Sequence, residues 1–349
     1  MTAKPAPDPH PPSTLAVIGA GSWGTTLAQL LGEKGYTVRL WVFEPEVYQG
    51  LVRDRINATF LPDVRLSSRI SYTQDFAEAL RGAAVVVMAV PSHVFRDILR
   101  KSAPYLPPES VLLSATKGIE TETLLTMDGV VREVLGAQVP YAVLGGPSFA
   151  REVVQKYPTA VTIACRDNKV AHRLQRLFST SYFRVYTSYD VTGVELGGAL
   201  KNIFAIGTGI LEGMGLRDNS RAALITRGLA EMTRLGLRLG ANPMTLAGLG
   251  GLGDLVLTCS SRQSRNFQVG LRLGQGETLE QILASTQMVA EGVKNARAFH
   301  LLSQRLGVEM PLAEAVYQIL YEGLAPRDAV KKLMSRELKD ELEAMNETW

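Results

Sequence analysis

Apolar and polar positions change their rhythm once along this chain, near residue 190. Before that point, short apolar runs at 14–18, 37–42, 69–72, 84–90, 110–115 and 140–144 read as strands. Helical spacing lies between several of them, notably at 22–34, 74–81, 93–101 and 122–135. Runs such as AAVVVMAV are apolar at every position, which suits a parallel sheet covered on both faces. TAVTIAC and FRVYT flank an amphipathic stretch at 168–179 and read as further strands of the same sheet. Beyond 190 the strand signals stop. Apolar residues recur at helical spacing over 191–214, 220–239, 278–284, 292–306, 312–321 and 326–334. Asn242-Pro243 reads as a cap followed by proline in the first turn, and the glycine cluster 248–253 as a loop. The pattern predicts a doubly wound α/β domain over 14–189 and an all-α domain over 190–342. A proline-rich leader (1–13) is expected to be disordered, and a charged tail (343–349) to fray.

One loop gives the first domain a chemistry. Strand LAVIG runs into Gly19-Ala20-Gly21-Ser22-Trp23-Gly24, and the helical pattern TTLAQLLGEKG follows without a gap. In a G-x-G-x-x-G at this place the first glycine permits a tight turn. The second lets pyrophosphate oxygens reach N–H groups at a helix N-terminus, and the third lets helix and strand pack closely. The second strand ends at Phe43 and Glu44, and Glu44 lies 20 residues past Gly24, where a carboxylate can accept hydrogen bonds from a ribose. Glycines alone would indicate only a tight loop. Strand, glycines, helix, strand and acid in register predict a Rossmann-like domain holding NAD or NADP.

Composition narrows the partners. The chain has 349 residues, enough for two domains, and its 46% hydrophobic content is that of an ordinary globular protein. A dispersed net charge of +3 argues against nucleic acid but is compatible with a small anionic substrate. Cys165 and Cys259 lie far apart, and the four histidines form no ligand pair, so no metal is expected. Both cysteines read as small buried residues in a reducing compartment. The leader lacks the apolar centre of a signal peptide, and no apolar run approaches the ~20 residues of a membrane span. A cytoplasmic protein is expected.

Ligands of an open parallel sheet bind outside the carboxyl ends of its strands, so the residues after each strand map a site. That places Lys117 and the segment Gly145-Gly146-Pro147-Ser148-Phe149-Ala150 on one edge with the glycine loop. Lys117 is either a solvated loop lysine or a polar group near the nicotinamide. In the helical half, Gly193, Gly197, Gly198, Gly207 and Gly209 fall within a single apolar helix. Each costs about 1 kcal/mol relative to alanine, so a backbone or a ligand must approach closely there. Lys201 lies amid them, with Gly197, Gly198 and Ala205 as its helical neighbours, and Asn202 follows it. A lysine kept partly dry suits proton transfer; the alternative is a packed stem with its head in solvent. Asp254 could cap a helix or hold that amine. Ser264, Arg265 and Asn266, within SSRQSRN, supply donors suited to phosphate, or form a capped surface turn.

Taken together, VIGAGSWGT, SATKGIE, LGGPSFARE, ELGGALKNIFAIGTGI, GLGDLVLTCSSRQSRNFQVG and AEGVKNA resemble the NAD(P)-dependent glycerol-3-phosphate dehydrogenase family, from about residue 15 to 342. The resemblance implies reversible oxidation of sn-glycerol 3-phosphate at C2 to dihydroxyacetone phosphate, the reverse direction feeding phospholipid synthesis. It also implies a helical domain like that of 6-phosphogluconate dehydrogenase and a homodimer. On matching positions, Lys201 becomes the proton donor and acceptor at the C2 oxygen. Lys117, Asn202, Asp254 and Thr258 surround it, and Arg265 and Asn266 hold the phosphate. Gly146, Ser148 and Ser264 match further substrate positions, and Ser22, Trp23, Lys117, Ala150, Arg265, Val289 and Glu291 match cofactor positions. Positions 43 and 44 often carry His, Arg or Lys in relatives. Glu44 would repel a 2′-phosphate, while Arg53 and Arg55 could offset it, so both cofactors stay open.

Two other readings compete. A β-hydroxyacid dehydrogenase or ketopantoate-reductase-like enzyme shares the layout but has no use for the SSRQSRN cluster. A non-catalytic dinucleotide sensor needs the glycine loop but not Lys201-Asn202.

Overall fold

A computed structural model of the chain describes residues 14–285, 290–338 and 340–341. The leader 1–13, Val289 and the tail 343–349 lie outside the described residues. The chain divides into two compact units, the first comprising 14–117 and 127–194, the second 118–126 and 195 onward.

The first unit holds ten strands: β1 (Thr14–Ile18), β2 (Thr37–Trp41), β3 (Ile56–Asn57), β4 (Leu61–Arg65), β5 (Ile70–Thr73), β6 (Val85–Met88), β7 (Val111–Ser114), β8 (Tyr141–Gly145), β9 (Thr159–Cys165) and β10 (Phe183–Ser188). Its helices are α1 (Ser22–Glu33), α2 (Pro45–Asp54), α3 (Phe76–Leu80), α4 (Ser92–Ser102), α5 (Met127–Leu135), α6 (Ala150–Val154) and α7 (Asn168–Phe178). Eight strands form one sheet in the order β10-β9-β8-β7-β6-β1-β2-β5. All its pairs are parallel except β8 with β9. The order reverses at β1, flanked by β2 and β6, and such a switch point is where an open sheet leaves a crevice. Burial of every residue of β6, β7 and β8 explains their unbroken apolar runs. The TAVTIAC and FRVYT segments extend this sheet as β9 and β10.

The sequence pattern does not announce α2 or the small antiparallel ribbon of β3 and β4. The stretch 122–135 is helical only from Met127. Its first residues form a tight turn closed by an Ile119–Thr126 bridge, with Leu124 at φ +62°. Ile119 is buried in the helical core and Leu124 packs against it, which is why 118–126 groups with the second unit.

The second unit contains α8 (Val191–Gly213, whose first turn groups with the sheet), α9 (Asp218–Arg238), α10 (Pro243–Leu246), α11 (Asp254–Ser260), α12 (Arg265–Gly274), α13 (Leu279–Ala284), α14 (Glu291–Leu306), α15 (Pro311–Tyr321) and α16 (Pro326–Met334). Asn242 caps α10 by accepting from the Met244 N–H at 2.9 Å, with Pro243 in the first turn as its sequence suggests. The glycine cluster expected as a loop is instead a π-helical turn, Leu249–Gly253, running directly into α11. A wide turn brings backbone close to backbone, and glycine tolerates that. Among the described residues, α8 is long and apolar enough to cross a membrane, but 94% of its apolar window is buried inside the fold. It is the central core helix.

Candidate functional site

In the sheet unit the three loop glycines meet three different demands. Gly19 has φ +110°, and a Cβ there would stand 2.6 Å from the Ala89 carbonyl oxygen. At Gly24 a Cβ would lie 2.0 Å from the Gly19 carbonyl oxygen, so α1 packs on its own loop. A Cβ on Gly21, by contrast, would meet nothing within 4 Å. Gly21 is the N-cap of α1, no side chain caps it, and the first turn carries no acid. Open space before bare N–H groups at a helix N-terminus fits a pyrophosphate. Ser22 opens that first turn. The Trp23 indole packs against the sheet core, with its N–H buried and without a hydrogen-bond partner.

Residues from other strand ends gather on this edge. Thr26 Oγ1 donates to the Ser22 carbonyl at 2.8 Å and lies 3.4 Å from that of Ala150, which sets the start of α6 beside α1. After β7, Lys117 Nζ donates to the Gly146 carbonyl at 3.3 Å, and Ser148 Oγ donates to the same oxygen at 3.0 Å. Gly146 can turn its carbonyl this way because it adopts φ +122°. Lys117, Gly146 and Ser148 therefore form one cluster. Phe43 and Glu44 follow β2 as read from the sequence.

In the helical unit Lys201 is 7% exposed. Its Nζ donates to Asp254 Oδ1 at 2.5 Å and to Thr258 Oγ1 at 2.9 Å. Thr258 Oγ1 in turn donates to the Asp254 carbonyl at 2.6 Å, a one-turn link within α11 that sets the hydroxyl's orientation. Asp254 is fully buried. The carboxylate in contact offsets the cost of burying the ammonium away from water. Of the two roles read for Asp254, it holds the amine. Lys201 does not run out to solvent.

The glycines of α8 answer a close backbone. A Cβ on Gly197 would lie 2.2 Å from the Gly250 carbonyl oxygen, so the π turn presses on α8 one turn before Lys201. Further along, a Cβ on Gly209 would stand 2.1 Å from the Phe267 carbonyl oxygen, and one on Gly270 2.0 Å from that of Ile206. Gly213 and Gly274 repeat this reciprocity, with Cβ positions 2.2 Å from the Leu271 and 2.3 Å from the Ile210 carbonyl oxygens. Helices α8 and α12 thus cross backbone to backbone, which brings Asn266 to Asn202.

Asn266 Nδ2 donates to Asn202 Oδ1 at 2.9 Å, and the Gly292 N–H donates to Asn266 Oδ1 at 2.9 Å. This chain ties α8, α12 and the start of α14, where Glu291 stands. Ser264 Oγ accepts from the Phe267 N–H at 3.2 Å as the cap of α12. In SSRQSRN, Arg262 is committed to Glu212 at 2.7 Å, whereas Arg265 is exposed and makes no ion pair among the described residues.

The structure also adds residues that the sequence does not single out. Asn57, fully buried on β3, donates to the Ala20 carbonyl at 2.7 Å and to Thr25 Oγ1 at 2.9 Å, buttressing the glycine loop. Asn295 donates to the Ala199 carbonyl at 3.2 Å, two residues before Lys201 on α8. Nothing in the local sequence marks Asn57, while Asn295 falls within AEGVKNA without standing out there. Cys259 lies near the Lys201–Asp254 pair, but burial pushes its thiol up to about 12, so it is no nucleophile. Cys165 is likewise buried with its thiol pushed up by desolvation. Among the described residues no His, Cys, Asp and Glu cluster could hold a metal.

Family profiles match both units. One described as NAD-dependent glycerol-3-phosphate dehydrogenase N-terminus covers residues 14–171, and the corresponding C-terminus profile covers 190–331. A protein of Geobacter sulfurreducens named glycerol-3-phosphate dehydrogenase [NAD(P)+] is 54% identical over 329 residues, which is 94% of this chain and 98% of that one. A protein of Syntrophobacter fumaroxidans with the same name is 52% identical over 335 residues, 95% of this chain and 98% of that one. Among solved structures, the glycerol-3-phosphate dehydrogenase of Coxiella burnetii superposes with a TM-score of 0.90 at 40% identity. That match covers 93% of this chain and 99% of its chain.

Proposed function

Starting from the fact that the chain belongs to the NAD(P)-dependent glycerol-3-phosphate dehydrogenase family, we propose that Lys201 is the acid and base of its reaction, with Arg265 and Asn266 anchoring the substrate phosphate. The observation that carries this reading is the buried Lys201–Asp254–Thr258 cluster. It is a buried amine with a carboxylate and a hydroxyl fixing its direction.

The protein is an oxidoreductase using NAD(P), and a nicotinamide, when held there, would supply or accept the hydride at substrate C2. The rest falls to the side chains. In the reducing direction the C2 carbonyl π bond breaks as carbon receives hydride, and the electron pair moves to oxygen. Lys201 Nζ gives that oxygen its proton, leaving a neutral amine beside Asp254 to be reprotonated from solvent. In the oxidising direction the same amine, once deprotonated, takes the hydroxyl proton. Thr258 and Asp254 keep Nζ from swinging between these events. The guanidinium of Arg265 offers a charge-assisted donor pair to phosphate, and Asn266, fixed by Asn202 and Gly292, offers a neutral one. Ser264 supports this anchor by capping α12. Lys117, Gly146 and Ser148 serve the reacting end of the substrate. Gly19, Gly21, Ser22, Trp23, Gly24, Phe43, Glu44, Ala150, Val289 and Glu291 serve the cofactor.

On the family alone rest three further parts of the reading: a cytoplasmic homodimer, supply of glycerol 3-phosphate to phospholipid synthesis, and a net flux toward reduction in that role. The central test is loss of reduced-nicotinamide absorbance on adding dihydroxyacetone phosphate, with glycerol 3-phosphate identified as product. Turnover of unphosphorylated dihydroxyacetone or ketopantoate at comparable kcat/KM would overturn the phosphate-anchored reading. Sedimentation at the mass of one chain would remove the homodimer.

A further inference from the structure

The end of β2 is pinned in place. The Val42 N–H donates to the Thr73 carbonyl at 2.9 Å, and Gln74 Nε2 donates to the Phe43 carbonyl at 3.1 Å. Trp41 Nε1 donates to the Gln74 carbonyl at 2.9 Å, and the Trp41 ring stacks on Phe76 at 4.5 Å between centroids. Beyond this aromatic pair stands Phe43, 6.1 Å from Trp41 and 66% exposed. A single exposed aromatic is ordinary on a protein surface. This one, though, is held at the carboxyl end of the strand that meets the adenosine half of a dinucleotide.

Glu44 comes next. It is the N-cap residue of α2, yet its side chain makes no capping bond, so the helix does not use the carboxylate. Glu46 adds a second acid in the first turn. A helix N-terminus ordinarily attracts anions, and these two charges oppose that.

The arginines that could offset Glu44 are turned to other work. Arg55 donates to the carbonyls of Leu66 at 3.2 Å, Ser67, and Ile70 at 3.2 Å, and lies over the Tyr72 ring. Arg53 sits in the last turn of α2, paired with Asp54 at 2.8 Å. That is about 13 Å along the helix axis from Glu44. Arg39 donates to the Glu78 carbonyl at 3.2 Å and to that of Arg81.

We infer that this chain selects NAD(H) over NADP(H): Glu44 accepts hydrogen bonds from the adenosine ribose hydroxyls and repels a 2′-phosphate, while Phe43 carries the adenine on its face. This deepens the dinucleotide reading of the glycine loop and rests on it. Family membership does not dictate the choice, since the relatives are named for both cofactors.

The full-length protein is titrated with NADH and with NADPH by calorimetry, and kcat/KM is measured with each. NADH is expected to bind about a hundredfold more tightly, the difference made by a charge-assisted hydrogen bond lost and a like charge gained. Glu44→Gln should narrow the gap about tenfold, mainly by improving NADPH, and Glu44→Arg should narrow it further. Phe43→Ala should weaken both nucleotides by about the same tenfold, as loss of a stacking platform does. Retained NADH binding shows that a variant is folded. Equal affinity for the two nucleotides, or a gap that Glu44→Gln leaves unmoved, overturns the selectivity and leaves the glycine loop's role standing. Failure of both nucleotides to bind overturns the selectivity and the loop's role together.

Discussion

The glycine loop at 19–24 and the glycine-studded helix α8 use the same residue for opposite ends. Around Gly21 the missing side chain leaves a gap, with no atom within 4 Å of where it would be. Along α8 the gap is already filled, because carbonyl oxygens stand 2.1–2.2 Å from the Cβ positions of Gly197, Gly209 and Gly213. The first arrangement admits a ligand and the second excludes everything but a neighbouring backbone. Counting glycines does not separate them. What separates them is whether a methyl would meet vacancy or peptide. The two segments therefore carry different weight: one leaves room for a ligand, as the proposed nucleotide site requires, and the other fixes where Lys201 and Asn202 stand.

Substitutions can test that division, beginning with the residue that the seam positions. Lys201→Ala should lower kcat by about 10³-fold while nucleotide affinity, measured by titration, stays near that of the parent. A variant that turns over normally would strip Lys201 of its role. Gly270→Ala should destabilise the protein by about 3 kcal/mol, seen as a lower Tm, because a methyl cannot share space with the Ile206 carbonyl. An unchanged Tm would mean that the crossing yields.

A comparable effect is expected from pH. Burial raises the Glu231 carboxyl from 4.5 to about 7, against the pull of the Leu312 and Ala313 N–H groups that it accepts at 2.7 and 3.1 Å. Between those values the folded protein binds a proton that the unfolded chain has lost. Its stabilising contribution is therefore present below about 4.5 and fades as pH rises through 7, by up to about 3 kcal/mol. Thermal melts of the parent and Glu231→Gln across this range should differ in slope, and parallel curves would refute the assignment.

Arg265→Ala should raise KM for dihydroxyacetone phosphate about a hundredfold, with a smaller change in kcat. A fall in kcat at constant KM would contradict an anchoring role. The smallest change is expected from Gly21→Ala: Tm within a degree or so of the parent, with nucleotide affinity down about tenfold as the methyl occupies ligand space. A drop in Tm with affinity intact would mean that the loop resembles the seam after all.

Much of this was legible in the residues themselves. Unbroken apolar runs announced the buried strands, and the loop glycines stood in register with strand and helix. The glycines of α8 announced a close approach, but not that Gly270 and Gly274 answer them from some 60 residues away. Such reciprocity is a property of a crossing, which no local period encodes. The ribbon of β3 and β4 escaped because its apolar positions are few, with Pro62 and Asp63 exposed in mid-strand. Around 122–126 the apolar residues suit a helix, yet Leu124 at φ +62° breaks it so that Ile119 and Leu124 can reach the helical core. Tertiary burial overrode local preference there. Arg53 and Arg55 show the same limit. Their charge is evident from sequence, but Arg55's three backbone acceptors are not.

Asn57 has one more consequence. Because its amide grips Ala20 and Thr25 from behind, the socket at the head of α1 is set before any nucleotide arrives. Association then spends little on freezing the chain, so affinity is limited by the quality of the contacts. The Thr25 N–H, bonded to the Gly21 carbonyl at 2.9 Å, should exchange slowly with or without nucleotide, whereas the bare N–H groups of the first turn of α1 should exchange readily in the empty protein and slow on saturation with nucleotide.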